Sequence, residues 1–455
     1  MKVFDLMVIG GGPGGYLAAE RAGDAGLATL LIEKNKIGGV CLNEGCIPTK
    51  TLLHSAKLYH AAISSQAYGI DVAHATLSHE RVIARKQGVV RKLVAGVTAK
   101  LKKSGVETIK GHATITGKKN DAFVVTVNDV AYYGKKLIIA TGSSPSVPPI
   151  DGIHDAIKDG TAINSKQALD LTTVPKRLAV LGGGVIGLEM AAYYSAAGAA
   201  VTIFEMLDHI AGETDVEIGE LLLKNLKSKG IQFNLSASVT SVADNSVAFE
   251  TNGKTSTQVF DKVLVATGRK PNIDELGLDS IGVGTVREAI AVDEQLLTNI
   301  PGIYAVGDVN GKSMLAHTAY RQAEVAVNHI LGKQDTMRYK AMPSVIYTSP
   351  EVASVGETQA SAQHKGLSVK AVKLPMNYSG RYLAEVDKGN GICKLIVDID
   401  HNRLLGVHLI GSYASEIIVG AAAMIEAELR IDDIKELVFP HPTVSEIIRE
   451  TVFEI

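Results

Sequence analysis

The chain is predicted to be an α/β protein, because one unit of strand, glycine-rich turn, helix, strand and terminal acid occurs twice, and the strand that follows each unit also recurs. The first copy is FDLMVIGGGPGG, with Gly10, Gly12 and Gly15, followed by an alanine-rich stretch and by ATLLIE closing on Glu33. The second is RLAVLGGGVIGLE, with Gly182, Gly184 and Gly187, followed by another alanine-rich stretch and by VTIFE closing on Glu205. In both, 23 positions separate the first glycine from the acid (10 to 33, 182 to 205). This is the order of a Rossmann-like dinucleotide unit. The first glycine allows the tight turn, the second lets backbone amides approach a pyrophosphate, and the third lets helix and strand pack closely. The helix N-terminus then offers unpaired amides to the phosphates. Glycine-rich turns also join strands to helices with no ligand present, but the full context appears in both copies.

The repeat continues with a mismatch. LIIATG, ending in Thr141 and Gly142, matches LVATG, ending in Gly268, at an offset of 126, whereas the glycine turns are offset by 172. The first half therefore carries 46 additional residues (172 minus 126), an insertion beginning at the loop that holds Cys41 and Cys46. A helix is expected within it over about 78–103, where Val82, Val89, Val90, Leu93, Val97 and Leu101 recur at helical intervals. Beyond residue 341, strand patterns such as GICKLIVDID and LLGVHLIGS precede further helices, an α+β segment.

At 455 residues the chain exceeds a single core, and 46% hydrophobic content with 45 glycines suits α/β layers joined by tight turns. A net charge of -2 gives no electrostatic reason for nucleic acid or a membrane surface as partner. No apolar run reaches bilayer length, and strand patterning from Val3 leaves no room for a leader peptide, so a soluble cytoplasmic protein is expected.

In a reducing cytoplasm a structural disulfide explains three cysteines poorly. For Cys41 and Cys46, in GGVCLNEGCIPTK, three readings remain: a zinc site, inert packing, or a redox dithiol. Zinc needs further ligands, and only His54 and His60 lie nearby, so no metal is expected. Pro48 is tolerated in a first helical turn, so a helix starting near Gly45 or Cys46 puts Cys46 at its positive end, with Lys50 four residues later on the same face. These features favour the dithiol. Cys393, inside GICKLIV, reads as a small buried hydrophobe.

Two further residues have competing readings. Asp308 in PGIYAVGDV is either a plain turn acid or a ligand group. In HPTVSE, Thr443 and Glu446 spell a capping box, while His441 beside a carboxylate is also the composition of a proton shuttle. Glu205 favours NAD, because a carboxylate there accepts ribose hydroxyls and repels a 2'-phosphate, and the MLDHIAGE that follows holds no arginine.

With GGVCLNEGCIPTK, PGIYAVGDV, MLAHTAY, VIYTSPEVASVG and HPTVSE in order, the chain resembles the flavoprotein disulfide reductase family over nearly its whole length. The resemblance implies a domain plan: 1–145 binding FAD and carrying the redox-disulfide insertion, 146–268 binding NAD, 269–340 completing the FAD site, and 341–455 forming a dimerisation domain. By resemblance, Glu33 binds the FAD ribose, Lys50 lies beside the isoalloxazine, Asp308 holds the ribityl and phosphate region, Ala316 offers its amide to the ring, and Glu189 contacts the nicotinamide-side ribose. Thr141, Gly142 and Gly268 would line the two nucleotide sites. The resemblance further implies that a Cys41–Cys46 disulfide oxidises dihydrolipoamide, with Cys41 as interchange thiol and Cys46 facing the flavin. His441 and Glu446 would be an acid–base pair supplied by the partner in a homodimer. The partner protein implied is the lipoyl domain of a 2-oxoacid dehydrogenase acyltransferase or a glycine-cleavage carrier. Members specific for glutathione carry arginines after the second nucleotide strand, and mercuric members end in a cysteine pair; this chain ends RETVFEI. A flavin-bearing scaffold without turnover is the reading from another class. The family's usual residue at position 44 is small and apolar, whereas this chain has Glu44.

Overall fold

The structure is a computed structural model that describes residues 2–455. It comprises two compact units: the first takes in the chain through Thr51, Ala84–Ser146 and Arg269–Arg338, and the second Leu52–Ile83, Val147–Gly268 and Tyr339–Ile455.

In the first unit, strand β1 (Val3–Ile9) leads through the glycine turn into helix α1 (Pro13–Asp24) and strand β2 (Thr29–Glu33). Both strands read as nearly unbroken apolar runs because a parallel sheet is covered on both faces, and their residues from Leu6 to Ile9 and Leu30 to Ile32 are almost fully buried. Helices α2 (Gly39–Glu44), α3 (Cys46–Ile63) and α4 (His79–Lys103) follow, then β3 (Glu107–Lys110), β4 (Ala113–Lys119), β5 (Ala122–Val127) and β6 (Val130–Ile139). β1 runs parallel between β2 and β6, with β3 outside β2 and the strand Ile303–Ala305 outside β6. The start of β6 closes an antiparallel meander with β5 and β4, while its end joins the parallel sheet. The short strand Arg269–Pro271 pairs antiparallel with Ser143–Pro145.

The second unit repeats this plan. Its parallel sheet places Arg177–Leu181 between Ala200–Phe204 and Lys262–Val265, with Gln232–Asn234 and Ala162–Asn164 at the edges. A parallel edge strand needs a crossover, supplied here by the helix Val216–Ser228. In the first unit α4 occupies the same place before β3. The added residues are thus chiefly α2, α3 and the turn after them, and the helix of 78–103, expected within the insertion, is instead the crossover helix common to both copies, lengthened to 25 residues.

The C-terminal part of the second unit is built on a five-stranded antiparallel sheet, ordered Ser344–Ile346, Glu351–Gly356, Arg403–Gly411, Ile392–Asp398 and Val369–Pro375. The helices Ala414–Glu426 and Glu446–Val452 pack against it around Leu395, Leu409, Ile418 and Ile448. Cys393 is fully buried there, and burial pushes its thiol up to about 12, the inert setting expected of it. Lys394 Nζ reaches both oxygens of Asp215, at 3.0 and 2.9 Å, and Asp215 caps the helix Val216–Ser228. Removing either member would strand a nearly buried charge.

Glycine is required in both nucleotide turns for steric reasons. Gly10 and Gly182 have φ of 106°, and a Cβ on Gly15 or Gly187 would sit 1.8 or 2.1 Å from the carbonyl oxygen of Gly10 or Gly182. Gly12 differs, since its added Cβ would meet only the Cα of Gly39 at 3.9 Å, an ordinary contact. Gly15→Ala is therefore expected to lose at least about 3 kcal/mol of stability through forced separation of α1 from its sheet. Gly12→Ala should lose no more than about 1 kcal/mol. Chemical denaturation of the two variants, with equal losses as the contrary result, checks this.

Candidate active site

The two acids of the fingerprint hold their turns identically. Glu33 accepts the Gly11 amide at 2.6 Å and the Asn35 amide at 2.6 Å. Glu205 accepts the Gly183 amide at 2.6 Å and the Leu207 amide at 2.8 Å. The next loop returns to the turn in both copies: Gly38 N–H donates to the Gly11 carbonyl at 2.8 Å, and Ala211 N–H to the Gly183 carbonyl at 2.9 Å. Each carboxylate oxygen retains a lone pair for a ribose hydroxyl. The helices Pro13–Asp24 and Val185–Ala196 begin at Gly12 and Gly184 with no side chain capping their first amides. A Cβ on Gly184 would meet nothing within 4 Å. Two uncapped helix N-termini, each fronted by an open glycine and flanked by an acid, suit two dinucleotides.

The dithiol segment is fastened to the first of these turns. Gly38 and Gly39 have φ of 100° and 56°, and a Cβ on Gly39 would lie 2.5 Å from the Cα of Gly12. Asn43 then ties α2 down by donating Nδ2 to the carbonyls of Ile37 and Gly39 at 3.1 and 2.9 Å. α2 carries Cys41, and α3 starts at Cys46 with Pro48 in its first turn and Lys50 one turn on. Both cysteines are half-buried thiols. The Cys41 thiol is driven strongly upward, first by its hydrogen bond with Cys46, then by burial and by the negative charge of Cys46, with Lys50 opposing. Among the described residues no group of three or more His, Cys, Asp or Glu side chains is placed to hold a metal.

Several residues around the pair went unrecognised in the sequence. The Tyr16 and Tyr320 hydroxyls are hydrogen-bonded to each other, and the charges of both cysteines act on the two phenols. Arg269 donates Nε to Ser143 Oγ and Nη2 to the Ser143 carbonyl, both at 2.7 Å, and Ser143 Oγ donates to Asp308 at 2.5 Å. Burial depresses the Arg269 guanidinium, against the charges of Asp308, Glu44 and Cys46. Asp308 lies on the short turn Gly307–Asn310, which Gln322 Oε1 fixes by accepting from the Gly307 amide at 2.6 Å and Asn310 Nδ2 at 3.1 Å. Ala316 is the first residue of the 15-residue helix Ala316–Ile330, so its amide is one of that helix's free N-terminal donors. Asn272 straps the end of β6 by donating its amide to the Gly142 carbonyl at 2.9 Å and its Nδ2 to the Thr141 carbonyl at 3.0 Å. The one available sequence signal was the ATG–R–x–P–N run after Gly268.

In the second unit, Glu189 is buried and accepts the Tyr347 amide at 2.9 Å. Gly268 follows the strand Lys262–Val265 with φ of 123°. His441 Nδ1 bonds Glu446 Oε1 at 2.7 Å, and Glu446 Oε2 accepts the Thr443 amide at 2.8 Å. Because a carboxylate only accepts, the Nδ1 nitrogen carries the proton and Nε2 is left as the base. Only half of the capping box forms: Glu446 takes the Thr443 amide, but Thr443 Oγ1 donates to the Pro440 carbonyl and the helix starts at Glu446 behind Ser445. His441 is 80% exposed, so its basic nitrogen is open on this chain's surface.

Residues 4–323 match the pyridine nucleotide-disulphide oxidoreductase model, and 342–452 match the dimerisation domain of the same proteins. The chain belongs to the pyridine nucleotide-disulphide oxidoreductase family, and it is an oxidoreductase. Among curated relatives, it is 40% identical to a dihydrolipoyl dehydrogenase of Mycoplasma pneumoniae over 98% of this chain and 97% of that one. It is 38% identical to the dihydrolipoyl dehydrogenase of Geobacillus stearothermophilus over 98% of this chain and 95% of that one. Among solved structures, LpdA of Mycobacterium tuberculosis superimposes with a TM-score of 0.89 at 26% identity over 99% of each chain. The HOCl-induced flavoprotein disulfide reductase RclA of Escherichia coli, as its Cu(II) complex, gives 0.87 at 27% identity over 100% of each.

Burial works against the Glu446 charge, but the Thr443 amide, His441 and Arg449 hold its carboxyl below the usual range. A carboxyl whose folded pKa is depressed stabilises the fold above its unfolded value, and that contribution is lost as pH falls through the folded one. The stability difference between the native chain and Glu446→Gln should therefore be constant near neutrality and shrink as pH drops below the ordinary carboxylate range. Denaturation midpoints across that range check this, and a difference that grows on acidification would contradict it.

Proposed function

We propose that the chain oxidises protein-bound dihydrolipoamide to lipoamide through a Cys41–Cys46 disulfide, passing the electrons by way of FAD to NAD. The observation that carries this reading is the hydrogen-bonded pair Cys41 and Cys46, stitched to the first nucleotide turn. The full-length likeness to dihydrolipoyl dehydrogenases supports the choice of substrate. In this reading the first unit holds FAD and the second binds NAD, with Glu33 and Glu205 accepting the respective ribose hydroxyls. Lys50, Asp308 and the Ala316 amide face the flavin, and Glu189 the nicotinamide-side ribose. The C-terminal sheet pairs two chains in a homodimer, so that His441 serves the partner's dithiol. The enzyme works in the cytoplasm, where among the described residues no helix is long and apolar enough to cross a membrane.

The chemistry divides cleanly between groups. His441 Nε2 removes a proton from one dihydrolipoyl thiol while Glu446 steadies the imidazolium through Nδ1. The resulting thiolate attacks Cys41 Sγ, the Cys41–Cys46 bond breaks, and Cys46 leaves as a thiolate. The second lipoyl thiol then displaces Cys41, closing lipoamide, and its proton passes to Cys41. When bound, FAD supplies the change from thiol to hydride chemistry, and NAD is the acceptor. Close couples make the sequence reversible.

A coupled assay offering lipoyl domains, free dihydrolipoamide and reduced glutathione tests the substrate. Turnover with lipoyl thiols and none with glutathione is expected; the reverse would overturn the assignment. His441→Gln should lower kcat by about 10²- to 10⁴-fold, the range of general acid–base catalysis, and a loss under threefold would remove His441 from the mechanism. For the cofactor, kcat/KM with NAD should exceed that with NADP by about tenfold or more, since Glu205 repels a 2'-phosphate; equal values would refute that role.

A further inference from the structure

Glu44 is the last residue of α2, one glycine away from Cys46 at the start of α3, and the charges of both act on one cation. That cation is Arg269. Its guanidinium is fixed by two 2.7 Å bonds to Ser143, which binds Asp308 in turn, so it has little freedom to follow one anion or another. Arg269 reaches this place because Arg269–Pro271 pairs with Ser143–Pro145. We propose that Glu44 makes the Cys41–Cys46 couple more reducing, by drawing on the Arg269 charge that would otherwise stabilise the Cys46 thiolate. The proposal rests on the redox reading of the pair and adds to it the residue that sets the pair's potential.

The direction follows from charge. Reduction of the disulfide takes up two electrons and one proton, giving the Cys41 thiol and the Cys46 thiolate. Only the reduced form carries the new anion, so a nearby carboxylate destabilises that form and a nearby guanidinium stabilises it. Glu44 acts twice in the same sense: it repels the thiolate directly, and it offsets the positive charge of Arg269. Couples whose reduced form is stabilised are oxidising, so Glu44 moves this one the other way, toward giving up electrons. The other groups facing the pair leave this sign unchanged. Lys50 on α3 favours the reduced form, Asp308 already shares Arg269 through Ser143, and the phenols of Tyr16 and Tyr320 are neutral donors or acceptors.

The test is thiol–disulfide equilibration of the purified flavin-loaded protein with graded mixtures of reduced and oxidised dithiothreitol, under anaerobic conditions near neutral pH. Each exchange consumes one protein disulfide and one dithiothreitol dithiol, and yields cyclic oxidised dithiothreitol, the Cys41 thiol, the Cys46 thiolate and one proton. Acid quenching, alkylation and mass analysis then count the reduced fraction. Glu44→Gln should reach half-reduction at a ratio of reduced to oxidised dithiothreitol about tenfold lower than the native chain, or about 30 mV more positive. Glu44→Asp should stay near the native value. Arg269→Gln should move the midpoint in the opposite direction, so the sign is readable even if one variant fails to fold. Coincident midpoints for the native chain and Glu44→Gln, or a Glu44→Gln midpoint shifted toward more reducing mixtures, would overturn the proposal while leaving the redox dithiol intact. A native chain that forms no Cys41–Cys46 disulfide in any mixture would overturn the redox reading as well.

Discussion

The contact between the backbones of Gly12 and Gly39 is the constraint on which the site depends. With a Cβ on Gly39 only 2.5 Å from the Gly12 Cα, neither close approach nor the Gly38–Gly11 hydrogen bond survives a larger residue. The second nucleotide turn makes the matching hydrogen bond through Ala211, but its loop leads only to the crossover helix. In the first turn the loop leads into α2 and α3 instead. One nucleotide site therefore acquires a dithiol at its edge, and the other does not.

Charge around that dithiol is balanced rather than uniformly attractive. The Cys41 thiol holds its proton tightly beside Cys46, so any anion of the pair must be accommodated in a partly buried place. Lys50 and Arg269 accommodate it, while Glu44 and Asp308 draw on the same guanidinium. The group proposed to handle protons is built separately, on the second unit, where Glu446 orients His441 with one oxygen and anchors the preceding turn with the other. In the proposed reaction, sulfur exchange and proton transfer thus fall to groups in different surroundings, one half-buried and the other exposed.

Much of this was legible in the residues, because local rules and tertiary demands coincide. Apolar strands, glycines at fixed spacing and a closing acid specify the nucleotide turns through sterics alone, and Pro48 placed the start of α3 at Cys46 as expected. What escaped was set by contacts distant in sequence. Arg269 pairs with Ser143 across 126 positions, and Gln322 fixes a turn 15 residues earlier from inside a helix. The helix of 78–103 was found but assigned to the insertion, since periodicity reports a helix and says nothing of which strand it crosses to reach. Thr443 and Glu446 spelled a capping box of which the fold uses one half: Glu446 takes the Thr443 amide, while the Thr443 hydroxyl turns to the Pro440 carbonyl and the helix begins behind Ser445.

The most direct measurement is an anaerobic reductive titration of the flavin-loaded protein beside Cys46→Ser. The native chain should take up a second electron pair per bound flavin, stored in the sulfur couple, and the variant should stop after the first. Equal uptake by both would mean that the cysteines lie outside the path of the electrons.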